Sequence, residues 1–146
     1  MANVKISQLT AKGSNLVATD RLAIAQDTGG GTFATKYVKG SEVHNWDINK
    51  ETGNYTLALT DAHTYVEMEV GSANTLTVPL NSSVAFPVGT EIKVAQLGTG
   101  QTTIQAALGV TVLSQGGKNK LVGQYSVCTL IKRLTNEWYL YGDLTV

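Results

Sequence analysis

Between Asn54 and Val112 apolar and polar residues alternate in short runs, and clusters of Gly, Asn, Ser, Asp or Pro separate the runs. Successive side chains of a strand point to opposite faces, so Val66, Met68 and Val70 share one face while Tyr65, Glu67 and Glu69 share the other. The same parity puts Leu76 with Val78, Ile92 with Val94, and Val110 with Val112. Each run has the length of an ordinary strand. The pattern predicts strands over residues 55–59, 64–70, 75–80, 90–97, 102–106, 110–113, 120–122, 124–134 and 138–143. Turn-forming residues fall between them, at Gly71 to Asn74, Pro87 to Gly89, Gly98 to Gly100, Gly109, Gly116 with Gly117, and Asn136 with Glu137. Many short strands at this spacing read as an antiparallel sandwich or barrel, and the expected fold is a jelly-roll-like β-sandwich. Pro79, at a strand end, suggests an edge, because proline cannot donate to a central ladder.

Ahead of this module the pattern is sparser. Val4 and Ile6 share a face of a short extended segment over residues 4–9, and residues 21–26 alternate through Leu22 and Ile24. After the loop at Gly29 to Gly31, residues 32–39 return as a second strand, which makes a β-hairpin. Ser41 suits the cap of a single helical turn through Val43 to Trp46. Such a unit buries little apolar surface alone, so it is expected to be ordered by docking. The polar stretch DINKETG, residues 47–53, reads as the linker, and the domains are set at residues 1–50 and 51–146. No window longer than two turns carries a helical period, so the fold class is all-β.

Composition narrows the function classes. At 146 residues the chain is one domain plus an appendage, since a typical domain has roughly 100 to 150 residues. Charged residues make up 15%, below the roughly 25% of ordinary soluble chains, so much of the surface is Thr, Ser, Asn and Gln, or is covered by other subunits. Eleven basic residues balance eleven acidic ones. No global field recruits nucleic acid or an anionic membrane, and neither is expected as a partner. The single cysteine, Cys128, excludes an internal disulfide and a Cys-rich zinc site, and within YSVCTLI it reads as a small buried hydrophobe. Residues 1–9 lack the apolar core of a signal peptide, and no run approaches the length of a membrane span. Synthesis in a cytosol is expected.

Each candidate for chemistry has a plainer reading. GTGQTT at Gly98 to Thr103 has the glycines of a phosphate-cradling loop, yet TTIQA alternates as a strand and no Lys follows the second Gly, so a hairpin turn is expected. His44 and His63 have no ligand partner at metal-binding spacing, so neither a metal nor a cofactor is expected. Asp61 and His63 lie in TDAH, where a base and its orienting partner compete with solvated turn residues. Glu67 and Glu69 project to one face at a separation glycoside hydrolases use, but the neighbouring sequence offers no cleft, and an exposed strand face is the simpler reading. No catalytic residue is assigned. Lys118, Lys120, Lys132 and Arg133 read as solubilising loop residues. In EWYLYGD, Trp138 and Leu140 share one face and Tyr139 and Tyr141 the other, so whichever face is core, its opposite displays large flat side chains. Trp138, Tyr139 and Tyr141 are therefore the candidate contact residues, for another subunit ahead of a carbohydrate.

Two segments carry a family resemblance. The opening KISQL, followed by LVATDRLAIAQ and TKYVKGSEV, resembles the N-terminal segment of bacteriophage virion fibre and appendage proteins. The remainder, in the order ANTLTVP, FPVGTEI, GTGQTTI and WYLYGDL, is similar to a β-rich module of phage tail fibre and head fibre or decoration proteins. Together the segments span nearly the whole chain. The resemblance implies a structural protein located in the virion, usually a homotrimer, that is not an enzyme. It implies attachment to capsid, neck or tail proteins through the N-terminal part, with Val4, Ile6, Leu9, Leu22 and Ile24 as attachment residues, and a projecting C-terminal module. The chain lacks a repetitive shaft and a large receptor-binding tip, which favours a short head fibre, decoration or adaptor piece over a long tail fibre. Binding of a host surface glycan is the alternative.

Overall fold

The computed structural model describes the backbone of residues 21–27 and 33–39 and all of residues 46–146. The chain divides into two compact units, Met1–Asn45 and Trp46–Val146. In the first, β1 (Arg21–Asp27) and β2 (Phe33–Lys39) pair antiparallel, with Leu22 opposite Val38 and Ile24 opposite Lys36. Val4, Ile6 and Leu9, the loop glycines 29–31, and Ser41 with all but Trp46 of the turn expected through Val43 to Trp46 lie outside the described residues.

The second unit is all-β. Its strands are β3 (Ile48–Glu51), β4 (Tyr55–Thr56), β5 (Tyr65–Met68), β6 (Asn74–Val78), β7 (Glu91–Gln96), β8 (Thr102–Ala106), β9 (Thr111–Ser114), β10 (Lys120–Leu121), β11 (Val127–Leu134), β12 (Glu137–Gly142) and β13 (Leu144–Thr145). They form a six-stranded sheet in the order β3-β5-β7-β11-β12-β9 and a five-stranded sheet in the order β13-β10-β8-β6-β4. Inward parity follows the sequence. Val66, Met68, Leu76, Val78, Ile92 and Val94 are fully buried, and Val70, Val110 and Val112 pack against the cluster they form. Each large aliphatic side chain removed from water in this way contributes roughly 1.5 to 3 kcal/mol.

Strand direction departs from the expected antiparallel arrangement: the sheets are mixed. From β3 to β8 the chain changes sheet at every strand, and each strand lands parallel beside the one laid down two strands earlier. The first half of the unit is thus a flattened coil that adds one strand to each sheet per circuit. Parallel neighbours need a long crossover, usually a helix; here a strand of the opposite sheet serves. Antiparallel pairing takes over at β7-β11, β11-β12, β8-β10 and β10-β13. β9 then closes the six-stranded sheet parallel to β12.

Three local expectations are corrected by this course. Residues 48–51 of the presumed linker form β3, an edge strand parallel to β5. β6 lies between β8 and β4, so Pro79 marks no edge; it follows the strand, where its missing N–H costs no ladder bond. Gly98 to Gly100 do not turn a hairpin, because β7 and β8 belong to different sheets. They stack on the preceding corner, with Gly98 N–H donating to Met68 O and Gly100 N–H to Val70 O, both at 2.9 Å. A Cβ on Gly98 would stand 2.2 Å from Val70 O, and one on Gly100 2.0 Å from Ser72 O. Glycine is required here by the close approach of two backbones.

Candidate functional site

Strand β12 sets the most prominent surface. Its alternation sends Trp138 and Leu140 into the core, at 1% and 2% exposure, and leaves Tyr139 and Tyr141 on the outer face at 44% and 52%. Trp138 meets Phe86 edge-on, with ring centroids 5.4 Å apart. It therefore leaves the candidate contact set: a side chain that fills the core has no surface to offer a partner.

On the outer face Tyr139 lies between Ile131 of β11 and Leu113 of β9. Tyr141 lies beside Thr129, and that row continues through Lys93 and Tyr65 to Ile48, which is 64% exposed. Trp46 packs edge-on against Tyr65 at 5.9 Å, and the Lys93 ammonium sits 4.8 Å from the Trp46 ring centroid. Arg133 stands 5.7 Å from the Tyr139 ring centroid and pairs with Glu137. The charges on this face neutralise one another locally, and the surface between them is aromatic and aliphatic. Beside the tyrosines a shallow depression of about 370 Å³ is lined by Leu113, Ser114, Gln115, Tyr139, Leu140 and Tyr141, none of them charged.

The other candidate groups serve the fold. Asp61 is not a solvated turn residue but is 1% exposed. Its carboxylate accepts from the Ala58 N–H at 2.7 Å, the Tyr55 hydroxyl at 2.9 Å and Asn49 Nδ2 at 2.9 Å. The 3₁₀ turn Leu59–Asp61 is thereby tied to β3 and β4. Burial, with the Asp61 hydrogen bond adding to it, pushes the Tyr55 hydroxyl up to about 12. His63 is exposed, has a left-handed backbone (φ 61°), and stacks edge-on against Trp46 at 6.4 Å. With the carboxylate enclosed by three donors, Asp61 and His63 do not form a base and its orienting partner.

Glu69 pairs with Lys50 across the outer face, which Glu67 shares. The Gly98 and Gly100 amides are spent on the neighbouring corner, which removes the donors a phosphate cradle needs. Burial pushes the Cys128 thiol up to about 12, with Asp143 adding to it, so it is an unreactive core residue. Lys132 is no loop residue. It is 2% exposed and reaches Phe86 O at 2.7 Å and the side-chain oxygen of Asn81. Cys128, Leu130 and Lys132 share one strand parity, so alternation alone carries the signal that this lysine points inward. Leu22 and Ile24 fall on β1, whose side chains are not described. Among the described residues no cluster of His, Cys, Asp and Glu is arranged to hold a metal ion, and no helix is long and apolar enough to cross a membrane.

The fold and this surface together define an all-β, sandwich-like module of two mixed sheets with an uncovered aromatic face. No family model, curated protein or solved structure matches the chain.

Proposed function

We propose that the chain is a structural component of a phage virion: a short homotrimeric fibre, decoration or adaptor piece, attached by its N-terminal unit and projecting the β module. The observation that carries this reading is the outer face of the six-stranded sheet, where Ile48, Trp46, Leu113, Tyr139 and Tyr141 stand exposed with little net charge among them. Exposed apolar patches of this kind are interaction surfaces, and association removes them from water. The resemblance of both segments to virion appendage proteins supports the setting. Among the described residues β3 and β4 stand at sheet edges, and an edge strand is a template that a neighbour in an assembly can extend. The reading assigns no catalytic residue. Gold-labelled antibody to the module, applied to purified phage particles that encode it, is expected to decorate a fixed position on head, neck or tail. Particles that bear no label, with the protein free in the lysate, would contradict it.

A second reading rests on the uncharged depression beside Tyr139 and Tyr141, which has the flat rings and neutral polar rim that suit a host surface glycan. It predicts that Tyr139→Ala with Tyr141→Ala abolishes retention on a host-polysaccharide column. Equal retention of the double variant would remove it.

A further inference from the structure

Among the described residues Lys132 is the one buried basic side chain. It points inward from β11 beside the Phe86 and Trp138 rings, its Nζ 5.8 Å from the Trp138 centroid. Nζ donates to Phe86 O at 2.7 Å and touches the Asn81 side-chain oxygen. Both acceptors are uncharged, so neither neutralises an ammonium in this buried place. Asn81 is itself held: its backbone N–H donates to Asn136 Oδ1 at 2.9 Å, fixing the connection after β6 against the β11-β12 turn. Around Lys132 the backbone is pinned as well, with its N–H donating to Thr90 O at 2.9 Å and its carbonyl accepting from Gly89 at 2.8 Å. An amine and a carboxamide are thus presented to each other by two immobilised segments.

We propose that Lys132 and Asn81 join in an intramolecular isopeptide bond that staples the β6-β7 connection to β11. The carboxamide carbon lies one C=O bond, about 1.2 Å, from the oxygen that Nζ already touches, and attack moves the amine from that oxygen to the face of the carbonyl. Burial disfavours the ammonium and lowers the lysine's proton affinity, which shifts the balance toward the free amine, the form that acts as a nucleophile. The Nζ–Cγ bond forms, the Cγ–Nδ2 bond breaks, and the proton shed by Nζ departs with Nδ2 as ammonia. Nothing is oxidised or reduced and no cofactor takes part. Asn81 is half-buried, so ammonia has a path to solvent and water has a path in to carry the proton. Fixed geometry substitutes for high concentration in such a reaction. The product closes a loop between positions 51 residues apart, which restricts the unfolded chain as a disulfide does, but resists reduction.

The test is the intact mass of the full-length chain, purified folded and then denatured. The wild type is expected one ammonia lighter than its sequence, with a branched peptide joining the segments around 81 and 132. Asn81→Asp, losing water instead, is expected to reach the same final mass as the wild type. Lys132→Arg, which keeps a long side chain with N–H donors but cannot form the link, is expected at its full sequence mass. A wild type at full mass overturns the proposal, even if every variant fails to fold. So does an ammonia loss that persists in Lys132→Arg or that yields no branched peptide.

Discussion

The inner and outer faces of the six-stranded sheet come from the same strands, one residue apart, yet they are built for different ends. Inside, Val66, Val94, Leu130, Trp138 and Leu140 fill a continuous core with the residues of the second sheet. Outside, Tyr65, Lys93, Tyr139, Tyr141 and Ile48 form rows of comparable bulk that nothing in the chain's second unit covers. The difference separates two kinds of energy. Inner side chains hold the module together, whereas outer ones add little to the stability of a single copy, and the proposed role gives them a use in meeting another molecule.

That division predicts a ladder of effects. Trp138→Ala empties the largest inner position and should destabilise by about 3 to 5 kcal/mol in denaturant titration; a loss near that of a surface substitution would mean the inner face is not the core. Gly100→Ala tests the corner that passes the chain between sheets. Its Cβ would collide with Ser72 O, so a loss of about 1 to 3 kcal/mol is expected, and an unchanged midpoint would refute the stacked coil.

The inner side should also reveal itself at high pH. The Tyr55 hydroxyl, ordinarily near 10.0, is raised to about 12, and the Cys128 thiol, ordinarily near 9.0, is raised to about 12. A raised folded pKa means the native state keeps protons the unfolded state has released. The stability these groups contribute is complete below pH 9 to 10 and is lost as pH rises toward 12. Tyr55→Phe with Cys128→Ala should flatten that decline in thermal melts, and an equally steep decline would assign it elsewhere. At the bottom of the ladder, Tyr139→Ala and Tyr141→Ala should each change the stability of the isolated module by no more than about 0.5 kcal/mol. A large loss would turn the outer face into a second core.

Strand parity was legible in the sequence because alternation directly encodes which side of a sheet a residue occupies. Val66, Met68, Ile92 and Val94 were readable as core, and Tyr139 and Tyr141 as facing away from Trp138. Partner and direction were not legible: a period of two says nothing about which strand lies alongside, and here each corner carries the chain to the opposite sheet instead of reversing it. β3 carries no strand signal because INKE is a polar edge strand, whose composition resembles a linker. Asp61 resembled a turn residue, and its burial depends on Asn49 and Tyr55 arriving from other strands. Lys132 had a readable parity that its charge concealed. Val4, Ile6 and Leu9, expected as attachment residues, fall outside the described part of the chain.

The proposed role stands or falls on whether the outer face is met by copies of the same chain. Sedimentation equilibrium of the full-length protein at micromolar concentration measures this directly. Three chains of 15.5 kDa moving as one particle, weakened at least tenfold in association by Tyr139→Ala with Tyr141→Ala, is the predicted result. A wild type that remains a monomer throughout that range would contradict it.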